Sequence, residues 1–479
     1  MAISSVFGKT RSKNDERSGS FVAGSGKHPE TTSDDEPEIG QSQTVELDIE
    51  QLKRAEGEDK FHRLGWKRLT IVLIVEAIAL GSLSLPGAFA TLGMVAGVIC
   101  SLGIGSIAVY TSYVVGQMKL KFPEIKHYAD AGRLMFGKIG YEIISFMFCL
   151  QLVFIVASHV LTGSIMWGNI TEDATCSIVF AVVSAIILFI LAIPPSFAEV
   201  AILGYIDFVS IIAAILITII ATGIKGAQAE GGLAAVAWSA WPKEGVTLAD
   251  ATIAVSNIVF AYSFALCQFS FMDEMHTPED FPKSIVALGS IEIFIYTLTG
   301  ALIYAFVGVD VKSPALLSAG GVISKIAFGV ALPVIFISGS INTTVVSKYI
   351  HGRVYKDTVV VYVNTPKGWI TWLGLDLIVT VLAFVIALAI PFFSPLLAIS
   401  SSLFISGFTF YFPSLMWFMF IKEGKWHERK NLFLSGLNAL SFCMGMIVLG
   451  LGTYSAIEDI LIRYRDGKVS TPFSCAPLG

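Results

Sequence analysis

Two groups of residues in this 479-residue chain could do chemistry inside an apolar setting. The first is the run Gly81-Ser82-Leu83-Ser84-Leu85-Pro86-Gly87, in which a glycine, two serines and a Pro-Gly pair interrupt a long hydrophobic stretch. That composition predicts a broken helix, with free backbone amides around Gly81, Ser82, Leu83 and Ser84 and a second half starting at Pro86. Free amides at a half-helix N-terminus suit an anionic carboxylate. A plain proline kink accounts for the same residues. The second group is Glu76, Asp207, Glu292 and Asp376, acids standing within apolar runs. Each follows the start of its run by roughly seven to nine residues, which at 1.5 Å per residue sets it about 10–14 Å deep. A charged carboxyl costs about 2–3 kcal/mol at such a depth even on insertion scales, so these side chains should face protein or water. Desolvation disfavours the charged form, which suits a group that takes up and releases a proton. Glu76 is the first candidate because it precedes the Gly81 run by about one and a half turns; Asp207 and Glu292 follow. Capping or interhelical bonding is the alternative for all four.

Further polar residues lie in the apolar runs. Gln151 and His159 share one run, and Asn257, Tyr262, Ser263 and Gln268 share another. Ser338, Ser340, Asn342 and Thr343 fall in a third, where hydroxyls bonding back to their own helix are as good an explanation as ion binding. Gly97, Ser101 and Gly105 form a small-residue stripe that reads as helix packing. No nucleotide-binding glycine loop, metal-ligand spacing or nucleophile–base pattern is visible, so neither an enzyme nor a metal or other cofactor is expected.

The elements that position these residues are membrane spans. The chain is 54% apolar and 14% charged, far from the composition of a soluble domain. Its net charge of −5, with basic residues scattered over loops, gives no nucleic-acid footprint. Apolar runs of about 20 residues define eleven spans, near 69–92, 95–117, 139–166, 177–194, 199–223, 250–272, 284–308, 321–348, 369–391, 395–421 and 431–456. Residues 1–66 read as a disordered cytosolic tail, in which 45–60 could form an amphipathic helix, and 457–479 as a short extracellular tail. Lysine and arginine concentrate in the loops that share a side with the N-terminus, which orients the chain with that terminus cytosolic. The sequon at Asn169 then falls in the outer loop after the third span, open to glycosylation, whereas that at Asn342 is buried in a span. Of six cysteines, Cys176 and Cys475 share the outer side; they are read as free thiols, with a bridge as the alternative.

The stretch Phe61-His62-Arg63-Leu64-Gly65-Trp66-Lys67-Arg68, followed by Val75-Glu76-Ala77-Ile78-Ala79-Leu80 and the Gly81–Gly87 run through Gly93, resembles the opening of the amino acid/auxin permease family. Within that family the likeness is to the N-system neutral amino acid permeases of filamentous fungi, over residues 60 to 456. The resemblance implies an all-α membrane protein with a leucine-transporter type core of two inverted five-helix repeats plus one extra helix. It implies proton-coupled import of neutral aliphatic and aromatic amino acids at the plasma membrane, with sodium as the lesser alternative. A vacuolar exporter or a non-transporting sensor are the other readings. In that architecture spans one and six are discontinuous and hold the substrate. Carried over, the amides of residues 81–84 take its carboxylate and the carbonyls of Phe260, Ala261, Tyr262 and Ser263 take its ammonium. Gln151, near mid-depth in span three, and His159 are secondary site candidates read from their depth, with a satisfied packing role as the alternative. Span six has neither Gly nor Pro at its centre, so its unwinding rests on the resemblance and on the polar cluster Asn257, Tyr262, Ser263 and Gln268, for which interhelical hydrogen bonding is the alternative. The link from Asp273 to Lys283 resembles the family's short cytosolic connection, and its acids read as solvated.

Overall fold

The computed structural model describes residues 65–475 except 196, 357 and 467–471, with backbone alone at 72, 75–77, 79 and 197–203. The readings for the N-terminal tail and its 45–60 helix lie outside these residues, as do those for residues 61–64. The described residues contain helices and no strand. Their order is α1 (Trp66–Leu92), α2 (Met94–Lys121), α3 (Tyr128–Thr171), α4 (Ser177–Ala192), α5 (Phe197–Gln228), α6 (Leu248–Ala261), α7 (Gln268–Asp273), α8 (Phe281–Val307), α9 (Gly321–Val354), α10 (Pro366–Ala389), α11 (Phe393–Ile421) and α12 (Leu432–Arg465). Eight helices among the described residues are long and apolar enough to cross a membrane, and Leu80–Leu92, Ser177–Ala192 and Leu248–Ala261 are shorter apolar segments. Side chains such as Ile139, Phe146, Ile370 and Phe433 stand two-thirds or more exposed on the bundle's flanks. An apolar surface of that kind is what lipid, not water, would cover.

Local chemistry sets the boundaries. Gly93 alone joins α1 to α2, with φ of +83°, a conformation that L side chains rarely adopt. Any side chain there would also strike the Trp241 carbonyl, because residues 239–241 close over the hairpin through Met94 N–H to Ser239 O and Val95 N–H to Ala240 O. The helix α6 begins with a reciprocal cap: Asp250 N–H donates to Thr247 Oγ1 at 3.1 Å and Thr247 N–H donates to Asp250 Oδ2 at 2.9 Å. Gly137, with φ of +69°, kinks α3 so that its first turns separate from the long apolar run. The helix α11 carries three π-helical stretches, Ser401–Ile405, Gly407–Tyr411 and Trp417–Ile421; such stretches are rare and gather at functional sites.

The two ends of the bundle differ. One carries the α3–α4 loop, Lys325 paired with Glu172 at 2.5 Å, and a disulfide joining Cys176 to Cys475. Lys325, bonded to the Glu172 side chain, holds that carboxyl below its ordinary range. The free-thiol reading of Cys176 and Cys475 is therefore corrected: the C-terminal segment folds back onto this face, where Ser177 Oγ also donates to Ser474 O at 3.2 Å. Asn169 sits in the last turn of α3, not in the loop, and its Oδ1 accepts from Ser324 Oγ at 3.2 Å. Near this end, too, α12 continues as helix to Arg465, past the boundary at 456 that hydropathy suggests. The opposite face gathers Lys119, Lys126, Lys348 and Arg353.

Candidate functional site

The interrupted element is the sixth span, not the first. Across the Gly81–Gly87 run α1 is continuous from Trp66 to Leu92 with Pro86 inside it, so the expected break and its free amides are absent in this conformation. Pro86 removes the donor that would otherwise reach the Ser82 carbonyl; the Ser84 hydroxyl bonds back to its own helix, donating to the Gly81 carbonyl at 2.9 Å. In contrast, α6 stops at Ala261, Tyr262 leaves helical geometry (φ −99°, ψ 43°), and helix resumes only at Gln268.

Tertiary anchors enforce this break where no Gly or Pro does. Tyr262 Oη lies 3.0 Å from Ser101 Oγ of α2, and its ring packs edge-on to Tyr296 of α8. Gly105 makes room for it, since a Cβ there would lie 2.8 Å from the Tyr262 ring. Beyond the break, Gln268 Nε2 donates to the Ser112 carbonyl at 2.9 Å while the Ser112 hydroxyl donates to Gln268 Oε1. The stripe Gly97-Ser101-Gly105 thus does pack helices, and the polar cluster of span six bonds mainly across helices: Asn257 also reaches α11, donating to Ser394 Oγ at 2.6 Å.

The break leaves acceptors without donors. No hydrogen bond among the described residues reaches the carbonyls of Phe260, Ala261 or Tyr262. They form the C-terminal, partially negative end of α6, which favours a cation. Gly81 of α1 lies directly against them: a Cβ on it would be 2.9 Å from Ala261 Cα and 3.0 Å from Tyr296 Oη. Gly81, Ser82, Leu83, Ser84, Phe260, Ala261, Tyr262 and Ser263 are all buried. Gln151 of α3 is buried too; its Oε1 accepts from Ser400 Oγ at 2.9 Å while its Nε2 has no partner among the described residues.

Ser400 belongs to a seam that the sequence reading passes over. Ser401 Oγ donates to Ser256 O at 2.6 Å and Ser402 Oγ to Ser256 Oγ at 3.1 Å, so three successive serines in α11 tie it to α3 and α6. The signal was present as a Ser-Ser-Ser run inside an apolar span. His159, by contrast, is a satisfied packing group, with Nδ1 2.6 Å from the Ile335 carbonyl. Ser340, Thr343 and Thr344 donate to carbonyls of their own helix.

Of the buried acids, Asp207 and Glu292 are both fully buried. Neither oxygen of Asp207 has a hydrogen-bond partner among the described residues. The side chain of Glu76 lies outside the described residues, although its backbone is helical. Glu274 is buried and Asp273 is half-buried in an ion pair, which corrects the solvated reading for these two, while Glu279 of the same link is exposed. Lys119 Nζ sits 2.8 Å from Asp273 Oδ1 and donates to the Pro123 carbonyl at 2.9 Å, while Lys348 pairs with the nearly buried Glu274. These pairs clamp α2 and α9 to the chain just after α7, on the lysine-rich face.

Comparison with known proteins places this arrangement. A family model described as transmembrane amino acid transporter protein matches residues 62–458. The chain is 70% identical over 425 residues to the N amino acid transport system protein of Neurospora crassa, covering 88% of this chain and 90% of that protein. It is 30% identical over 422 residues to a transmembrane transporter of Gibberella moniliformis, covering 87% and 88% respectively. Among solved structures it resembles MhsT in complex with L-phenylalanine, with a TM-score of 0.54 at 14% identity over 81% of this chain and 98% of that one. It also resembles a Na+-coupled sialic acid symporter, with a TM-score of 0.51 at 11% identity over 88% and 96%. These likenesses give the fold, which is all-helical and of leucine-transporter type. A span broken against an intact neighbour, free carbonyls facing a glycine, and a family match over nearly all of the described chain lead to one statement: the protein belongs to the transmembrane amino acid transporter family.

Proposed function

We propose that this transporter imports neutral aliphatic and aromatic amino acids across the plasma membrane by proton symport, through eleven spans with the N-terminus cytosolic and the C-terminus outside. The observation that carries the substrate assignment is the set of unbonded carbonyls at Phe260, Ala261 and Tyr262 beside Gly81. They receive the substrate ammonium, and Gln151 Nε2 supplies a donor nearby. The carboxylate binds backbone amides of residues 81–84 when α1 opens at its Ser-Pro-Gly stretch. The relative's function in amino acid transport and the L-phenylalanine held by MhsT support an α-amino acid as the ligand. A proton is the coupling ion, carried by Asp207, Glu292 or Glu76; an ionised carboxyl without partners is costly in a low dielectric, and this favours Asp207.

The test is uptake of labelled leucine and phenylalanine into proteoliposomes under imposed proton or sodium gradients. Accumulation should follow the inward proton gradient and be indifferent to sodium. Amino acid amides and decarboxylated amines should compete at least about tenfold more weakly than the parent amino acids, the loss expected for one charge-assisted contact. Equal inhibition by the amines would remove the carboxylate from recognition. Protease should spare the N-terminal tail in right-side-out vesicles while a C-terminal tag is cleaved; cleavage of the N-terminal tail would reverse the orientation.

A further inference from the structure

A second polar site lies on the same two helices as the central one, toward the disulfide-bearing face. A cleft of about 100 Å³ lies between α1, α6, α11 and α12, lined by Gly87, Ala88 and Thr91 on one wall and by Asp250, Asn257, Ser394, Asp459 and Arg463 on the others. Asn257 precedes Ala261 by one helical turn, and Gly87 follows Gly81 by less than two, so the cleft stands about 6–9 Å along these helices from the unbonded carbonyls.

Its polar groups are only partly committed. Arg463 Nε donates to Asp459 Oδ2 at 2.7 Å, and its guanidinium lies 5.4 Å from the centroid of the Phe392 ring, which holds the fork in place. The two Nη groups donate to nothing among the described residues. Asp250 spends Oδ2 on the cap of α6; its Oδ1 accepts no hydrogen bond among the described residues. Asn257 is 3% exposed and donates through Nδ2 to Ser394 Oγ, which leaves Oδ1 buried without a donor among the described residues. The cleft therefore offers the two Nη groups of an arginine already paired with Asp459, and two acceptors, one charged and one neutral, that take no hydrogen bond from the described residues, within a space the size of an amino acid backbone. A zwitterion whose carboxylate and ammonium sit on one carbon presents the complementary set.

We propose that this cleft is a separate binding site for a zwitterionic amino acid, occupied on the way to the central site. The Arg463 Nη fork takes the carboxylate, Asp250 Oδ1 and Asn257 Oδ1 take the ammonium, and Gly87 and Ala88 leave room for the first atoms of the side chain. Asp250 and Asp459 repel a second carboxylate, so the cleft also selects against acidic amino acids before they reach the centre. This inference rests on the reading that the chain carries neutral amino acids.

The test uses the full-length protein in proteoliposomes, with initial rates of labelled L-leucine uptake measured for wild type, Arg463→Gln, Arg463→Lys and Asp250→Asn. In Arg463→Gln the KM should rise about tenfold with the maximal rate held within about twofold, and Arg463→Lys should recover part of the affinity. Asp250→Asn keeps a capping oxygen for Thr247 but loses the charge. In that variant L-aspartate and L-glutamate should inhibit leucine uptake at least fivefold better than in wild type, which decides the question even where Arg463→Gln fails to reach the membrane. An unchanged KM in Arg463→Gln together with unchanged exclusion of acidic amino acids in Asp250→Asn overturns the cleft while leaving the transport reading intact. A fall in maximal rate at constant KM also overturns it, since Arg463 would then act on the conformational cycle and not on binding. Absence of leucine uptake in wild type overturns both readings.

Discussion

Replacing Gly81 by alanine should cut uptake to below about a tenth of wild type while the protein still reaches the membrane. The added methyl would lie 2.9 Å from Ala261 Cα and 3.0 Å from Ala261 Cβ and Tyr296 Oη, and the first of these is backbone that cannot rotate away. Overpacking of this kind costs about 1–3 kcal/mol, which a bundle of this size can absorb. The site cannot absorb it so easily, because the displaced atoms are those of the α6 break, and a shift of about 1 Å in positioning groups is enough to lose a hundredfold in function. Adding Ala261→Gly removes the Cβ contact but leaves that with Cα, so the double variant should recover only part of the loss. Initial uptake rates normalised to surface protein, with thermal stability measured alongside, separate the two effects. Wild-type rates in Gly81→Ala would show that the contact between α1 and the end of α6 has no bearing on transport.

That contact also shows where sequence patterning stops being informative. The apolar runs placed the helices because the demand for about 20 apolar residues per crossing acts locally on composition. Positions of breaks follow from competition between a helix and its neighbours, which composition reports poorly. The Gly81–Gly87 run has the residues of a broken helix, yet α1 passes through it unbroken with Pro86 inside. Residues 262–267 have no breaker at the centre and yet are unwound, because Ser101 and Ser112 of α2 hold Tyr262 and Gln268 from outside. Family resemblance, with the polar cluster from Asn257 to Gln268, supplied that second break; no periodicity would. The same holds for Asp273 and Glu274, which read as solvated loop acids until Lys119 and Lys348 are seen to converge on them from two other helices. Cys176 and Cys475 are 299 residues apart, and only the return of the C-terminal segment to the α3–α4 loop brings them together. Ser400, Ser401 and Ser402 were legible as a polar run, but which helices they tie depends on the π-helical turn that begins at Ser401.

Asp207→Asn should abolish accumulation driven by a proton gradient while leaving downhill exchange within a few-fold of wild type. The side chain is fully buried in α5, and neither carboxylate oxygen finds a hydrogen-bond partner among the described residues. One turn on, Ser210 Oγ donates to the Val330 carbonyl at 2.6 Å and pins α5 to α9, so the acid is carried at a fixed helix–helix contact and not on a loop that could turn it to water. A carboxylate in that position would need a counter-charge or donors, and none of the described residues gives its oxygens a hydrogen bond; a proton satisfies it without either. If the proton is taken from one side and released when the α5–α9 contact changes, the acid couples the gradient to the cycle. With one proton per substrate, an inward gradient of two pH units sustains accumulation of about a hundredfold, since each unit is worth about 1.36 kcal/mol. Asparagine has the same shape but no proton to exchange, so the accumulation ratio should fall to about one, while counterflow of labelled leucine against unlabelled leucine, which needs no net driving force, persists. An Asp207→Asn protein that still concentrates leucine about a hundredfold would remove this residue from coupling and pass the role to Glu292 or Glu76.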